Sequence, residues 1–160
     1  MRSIVFCLLV VCLLIALGAC SPDSGPAVRD VMGKSHTLRP GENKWIVINY
    51  WAPWCHSCRH EVAALNAFAR EHANDVVVLG VDYDDPNDIA VLKDLVKKFS
   101  IEYPVLLHDP AKYFSLPTVA VLPTTFILQP AGEIVARLRG PQTLVSLNQQ
   151  LRLARADFHA

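Results

Sequence analysis

Two cysteines three residues apart, in Trp51-Ala52-Pro53-Trp54-Cys55-His56-Ser57-Cys58, are the residues of this chain best placed to do chemistry. That spacing sets both sulfurs on one side of a single helical turn, where they can close a tight ring. So small a ring removes little chain entropy, which makes the bond better suited to exchange than to holding a fold. The same spacing is also half of a zinc site, but a zinc site needs a second ligand pair. The other three cysteines, Cys7, Cys12 and Cys20, lie together at the N-terminus. Redox exchange is therefore the stronger reading.

The surrounding sequence places this motif between a strand and a helix. Trp45 to Trp51 and Val76 to Val81 are continuous apolar, β-rich runs, as in strands covered on both faces. Between them Val62, Leu65, Phe68 and Ala69 recur at helical spacing, which gives a βαβ unit. Cys55 then falls at a helix N-terminus, where unpaired N–H groups and the helix dipole favour a thiolate. A second helix is expected with Asp85 as N-cap, Pro86 at its first position, Asp88 in the first turn and Ile89, Leu92, Val96 and Phe99 as its apolar stripe. Val105 to Leu107 reads as a short strand. Thr124–Leu128 and Glu133–Leu138 flank Gln129-Pro130-Ala131-Gly132 as an antiparallel hairpin. A helix from Thr143 to about Ala154 turns Leu144, Leu147 and Leu151 inward, with Arg152 and Arg155 near its negative end. The expected fold class is α/β, a mixed central sheet flanked by helices, with a helical insertion between its βαβ and ββα halves.

Lys and Arg number 15 against 15 Asp and Glu, so no cationic footprint for nucleic acid or a polybasic membrane surface is present. The apolar excess sits at the N-terminus, where Ile4 to Leu17 is an unbroken run of 14 residues behind Arg2. That length suits a signal peptide and is short for a spanning helix. Leu17-Gly18-Ala19-Cys20 resembles the lipobox of bacterial lipoproteins. The resemblance implies cleavage after residue 19, lipid on Cys20, a tether over residues 20–27 and a domain over 28–160. Export would place the domain in oxidising surroundings, in the cell envelope on the extracytoplasmic side.

Trp-Cys-x-x-Cys after an apolar strand, with Leu122-Pro123-Thr124-Thr125 downstream, resembles the thioredoxin superfamily. Asn49-Tyr50-Trp51-Ala52-Pro53-Trp54-Cys55, Glu61 three after the second cysteine, and Pro123-Thr124-Thr125-Phe126-Ile127 followed by Gly132 and Gly140 resemble its TlpA/ResA-like branch of membrane-tethered thiol-disulfide oxidoreductases. The resemblance spans about residues 28 to 152. It implies a thioredoxin-like sandwich, a Cys55–Cys58 redox disulfide, Cys55 as nucleophile, Cys58 as resolving thiol and Glu61 as its proton acceptor. It also implies Pro123 as a cis-proline whose loop offers backbone to a substrate strand. His56, Ser57 and Trp54 would modulate the pair. Asn49 stands where thioredoxin has a buried Asp, which leaves Glu61 as the proton carrier. The implied partners are protein thiols or disulfides, a membrane electron donor or acceptor protein, and the membrane through Cys20; no cofactor or metal is implied.

The branch leans toward reductants, as in cytochrome c maturation. An oxidant or isomerase of exported disulfides is the alternative, since a protonated His56 beside Cys55 would favour the thiolate. A copper-binding metallochaperone on the same fold is a further alternative, with His108 its only placed additional ligand. A peroxidase is disfavoured by Ala52, where that relative carries Thr.

Overall fold

A computed structural model describes residues 27–38, 44–85 and 88–158. The expected signal peptide, Cys20 and the tether up to residue 26 lie outside these, as does Pro86. β1 (Ala27–Arg29) and β2 (Ser35–Thr37) form a small antiparallel hairpin. There follow β3 (Trp45–Trp51), α1 (His56–Glu71), β4 (Val76–Asp82), α2 (Ile89–Lys98), α3 (Ala111–Phe114), β5 (Thr124–Leu128), β6 (Ile134–Arg139) and α4 (Leu144–Phe158). The main sheet runs β4-β3-β5-β6, parallel between β3 and β4 and antiparallel elsewhere. The mixed sheet, with α2 and α3 inserted between its two halves, is the architecture expected.

β3 is buried along its whole length because both its faces are covered. Strand alternation sends Trp45, Val47 and Trp51 into one core with Leu65 and Phe68 of α1 and Leu147 and Leu151 of α4. Ile46, Ile48 and Tyr50 enter the other core, with Leu106, Phe114 and Phe126. Asn49 shares the parity of Val47 and Trp51, so this polar side chain is aimed at α1.

The structure corrects three local expectations. α2 is capped by Asp88, whose Oδ1 accepts from the Ala90 and Val91 N–H groups, and not by Asp85. Asp85 has a left-handed backbone, φ 45°, in the turn that closes β4, and Ile89 is exposed while Leu92 and Val96 face inward. Val105 and Leu106 make single bridges instead of a strand over residues 105–107: Gly80 N–H donates to the Pro104 carbonyl and Leu106 N–H to that of Gly80, while the Val105 carbonyl accepts from the Val31 N–H. This segment covers the outer edge of β4, and Pro104, lacking an N–H, cannot extend the ladder. The last helix continues beyond Ala154 to Phe158, and Arg155 in its final turn pairs with Asp75.

Gly80 sits under that covering segment. A Cβ there would lie 3.0 Å from both the Tyr103 ring and a Val105 methyl, two buried side chains. Gly80→Ala should therefore lower stability by about 1–3 kcal/mol through overpacking. Urea unfolding checks this; an unchanged midpoint would show that the covering segment yields freely.

Candidate active site

Cys55 is the N-cap of α1, with extended backbone, φ −77° and ψ 99°. Its Sγ accepts from the Cys58 N–H at 3.2 Å and lies 3.4 Å from the Ser57 hydroxyl. A thiolate released at this position would keep that N–H and gain the helix dipole, both of which favour the charged sulfur. Cys55 and Cys58 are joined as a disulfide with Cα atoms 5.4 Å apart. Their exposures are 5% and 2%, so Cys55 is the more open sulfur-bearing residue.

Cys58 heads the inward stripe of α1, followed by Glu61, Val62, Leu65 and Phe68. Glu61 is only 1% exposed, a position that a free carboxylate could not hold without partners. Asn49 Nδ2 donates to its Oε1 at 2.7 Å and the Gln142 N–H to its Oε2 at 2.9 Å. Asn49 also donates to Thr125 and accepts from the Tyr103 hydroxyl at 3.4 Å. Desolvation outweighs the two donors and pushes the Glu61 carboxyl up to about 7. A group so poised can take or return a proton at neutral pH. The Asn49 and Gln142 contacts were not read from the sequence; the parity of Asn49 on β3 was the one available signal.

Trp54 is 65% exposed and its indole N–H donates to Asp84 at 2.8 Å, forming a rim beside the disulfide. His56 is exposed; its Nδ1 accepts from the Arg59 guanidinium at 2.7 Å, and its ring meets His60 edge-on at 4.5 Å. Asp82, at the end of β4 in register with Trp51, is buried with one carboxylate oxygen unpartnered, and burial raises its pKa. Sequence reasoning missed this acidic β4–α2 turn as part of the site.

The Leu122–Pro123 peptide bond is cis. Extending the β3–β5 register by one residue puts Pro123 opposite Trp51, at the edge of the cysteine loop. The Pro123 carbonyl accepts from Gly140 at 2.9 Å, while the Leu122 backbone has no hydrogen-bond partner among the described residues. Leu122 packs against both cores. His108 is an exposed loop residue away from any metal cluster: among the described residues no group of three or more His, Cys, Asp or Glu side chains could hold an ion. No described helix is long and apolar enough to cross a membrane.

Known proteins share both sequence and architecture with this chain. It is 29% identical over 126 residues to the thiol-disulfide oxidoreductase ResA of Bacillus thuringiensis subsp. konkukian, over 78% of this chain and 72% of the relative. StoA from Bacillus subtilis superposes with a TM-score of 0.66 at 21% identity, over 79% of this chain and 95% of that one. The exposed lipoprotein thioredoxin of Streptococcus pneumoniae gives 0.68 at 24%, over 80% and 98%. These two likenesses establish the thioredoxin fold. Residues 21–137 match the AhpC/TSA family. With its Cys55–Cys58 pair at the head of α1, the chain belongs to the AhpC/TSA family as a ResA-like, thioredoxin-fold thiol-disulfide oxidoreductase.

Proposed function

We propose that this oxidoreductase works as a lipid-anchored, exported reductant of protein disulfides. The observation that carries the chemistry is the Cys55–Cys58 disulfide at the α1 N-terminus, with the Cys55 sulfur as cap. In the reduced protein, the Cys55 thiolate attacks one sulfur of a substrate disulfide, and the other substrate sulfur leaves as a thiolate. Cys58 gives its proton to Glu61 and attacks the Cys55 sulfur. The substrate departs with two electrons and the protein is left as its disulfide. A membrane electron donor of dithiol type then restores the pair. Leu122, with its backbone unpartnered beside Pro123, is the segment on which a substrate strand would lie.

Two features support the reducing direction. The Cys55 sulfur has the Ser57 hydroxyl and the Cys58 N–H as its partners, and His56 turns its Nδ1 to the Arg59 guanidinium instead, so no hydrogen bond from His56 reaches that sulfur. The Asp84 side chain, held by the Trp54 indole at 2.8 Å, sets an acidic group at the rim next to Cys55, which disfavours a further negative charge on that sulfur. Strong oxidants are those whose reduced form is stabilised, and both features withhold such stabilisation. The Leu17-Gly18-Ala19-Cys20 lipobox supports the anchored location, and the pneumococcal relative is itself named an exposed lipoprotein. Equilibration with glutathione should give a potential below about −200 mV; a value near about −120 mV, the strong-oxidant end, would reverse the direction.

A further inference from the structure

On the face of the sheet away from α1, the ends of β3 and β4 meet the loop that leads from α3 to Pro123. A cavity of about 260 Å³ opens there, lined by Tyr50, Tyr83, Asp109, Leu116, Thr118 and Val119 among others. It borders the redox site through two connections. The Tyr83 N–H donates to the Trp51 carbonyl at 2.8 Å, and the next residue, Asp84, holds the Trp54 indole. Leu122 packs both against the core that contains Cys55 and Cys58 and against the core that contains Tyr50 and Val119. A partner lying across Leu122 would therefore have this cavity within reach of a side chain.

The polar groups of the cavity have a definite sense. The Tyr50 hydroxyl and the Ala111 N–H both donate to Asp109 Oδ1, at 2.5 and 2.8 Å. Asp109 Oδ2 has no partner among the described residues and is open to a donor from outside. Of the nearby cations, Arg137 donates to the Thr118 carbonyl at 2.7 Å and stands 5.3 Å over the Phe126 ring with its Nε unpartnered, and Lys112 is exposed on α3; neither pairs with Asp109 among the described residues. An open carboxylate oxygen beside tyrosine rings suits a cationic donor, and Leu116 and Val119 offer apolar surface to its stem.

We propose that this cavity is a side-chain subsite for the protein substrate, taking a lysine or arginine close in sequence to the cysteine that reacts with Cys55. This rests on the oxidoreductase reading and adds to it a preference for basic sequence around the target cysteine. Asp84, held by the Trp54 indole, also places a carboxylate near the cysteines, so the subsite is read from the change that Asp109→Asn makes, which leaves that turn intact.

The test uses two peptides, each with one cysteine capped by thionitrobenzoate, that differ only in carrying Lys or Glu at positions flanking the cysteine. Release of thionitrobenzoate by the reduced full chain should be about tenfold faster from the Lys peptide, equivalent to one charge-assisted contact. Asp109→Asn keeps an acceptor for Tyr50 and Ala111 and should bring the Lys-to-Glu ratio close to one. Tyr83→Ala, at an exposed ring, should lower the ratio without bearing on the core. Because a ratio is read within each variant, a general loss of activity cancels, and an unchanged circular dichroism spectrum shows that a ratio near one does not come from an unfolded chain. Equal rates for the two peptides in the unaltered chain, or an undiminished ratio in both variants, overturns the subsite. Absence of reaction with either peptide and with free dithionitrobenzoate would instead overturn the oxidoreductase reading on which it rests.

Discussion

Cys58→Ala should convert this protein from a turnover catalyst into a covalent trap. In the proposed mechanism Cys55 attacks a substrate disulfide, and release of the mixed disulfide depends on a second sulfur held within one helical turn. In the native chain that sulfur is Cys58, bonded to Cys55 across Cα atoms 5.4 Å apart. An intramolecular thiol at this distance acts at an effective concentration far above that of any dissolved thiol, so its loss should slow release on the order of a thousandfold or more. The substitution leaves the attacking machinery in place. The backbone N–H of residue 58 still caps Cys55 Sγ, since that 3.2 Å bond does not involve the Cys58 side chain. Truncation at this buried position removes one sulfur from the core, a cost of about 1 kcal/mol that the fold can bear. Non-reducing electrophoresis of the variant after reaction with a disulfide-bonded protein should show a new band that dithiothreitol removes. The same experiment with Cys55→Ala should show none, because the more open cysteine and helix cap is then gone. A trap formed by Cys55→Ala and not by Cys58→Ala would exchange the two roles, and one formed equally well by both would leave neither sulfur the dedicated nucleophile; no covalent species from either would remove the two-step mechanism.

How much of this site can be read from the chain depends on the distance over which each signal acts. The cysteine motif, β3, α1 and the hairpin of β5 and β6 rest on local patterns: strand and helix periodicity and a Gly-containing connection, Gly132 having φ 89°. The first hairpin was illegible because three-residue strands carry no period. Its turn is organised by one side chain, Asp30, which accepts from the Met32 and Lys34 N–H groups and from His36. The cap of α2 was misplaced because Asp85 and Asp88 both precede the apolar stripe, and only the backbone shows which carboxylate reaches the free N–H groups. Glu61 was visible as a residue, but its environment was not. Its partners are Asn49 on β3 and a backbone N–H from Gln142 just before α4, brought together by the tertiary fold alone. The Tyr50–Asp109 pair escaped notice for the same reason: the two residues meet across the insertion that carries α2 and α3.

The environment of Glu61 leads to the second large effect, a pH-dependent stability that one substitution should abolish. In the unfolded chain this glutamate titrates near its ordinary value of 4.5; in the folded protein burial pushes it up to about 7. Between those values the folded state holds a proton that the unfolded state has lost. Stability contributed by this group is therefore complete below about pH 4.5, falls as pH rises, and is gone above about pH 7. A shift of this size corresponds to about 3 kcal/mol, or roughly a hundredfold in the folding equilibrium. Asp82, whose folded pKa is also raised, slopes the same way, whereas Asp30, held low by His36 and two backbone N–H groups, slopes the other way. The comparison must therefore be between the native chain and Glu61→Gln, measured as the oxidised protein by urea unfolding at pH 4.5 and pH 8. Gln keeps an oxygen for Asn49 but turns an NH2 toward the Gln142 N–H, so the variant loses a fixed increment at every pH. Its stability relative to the native chain should nonetheless improve by about 3 kcal/mol between the two pH values. Parallel pH profiles for the two proteins would mean that Glu61 titrates as an ordinary carboxylate, and a carboxylate already ionised well below neutrality would be a poor acceptor for the Cys58 proton. If the profiles diverge as expected, resolution of the mixed disulfide should gain rate as pH rises through about 7, where Glu61 becomes free to accept that proton, and Glu61→Gln should lose this step in its pH profile.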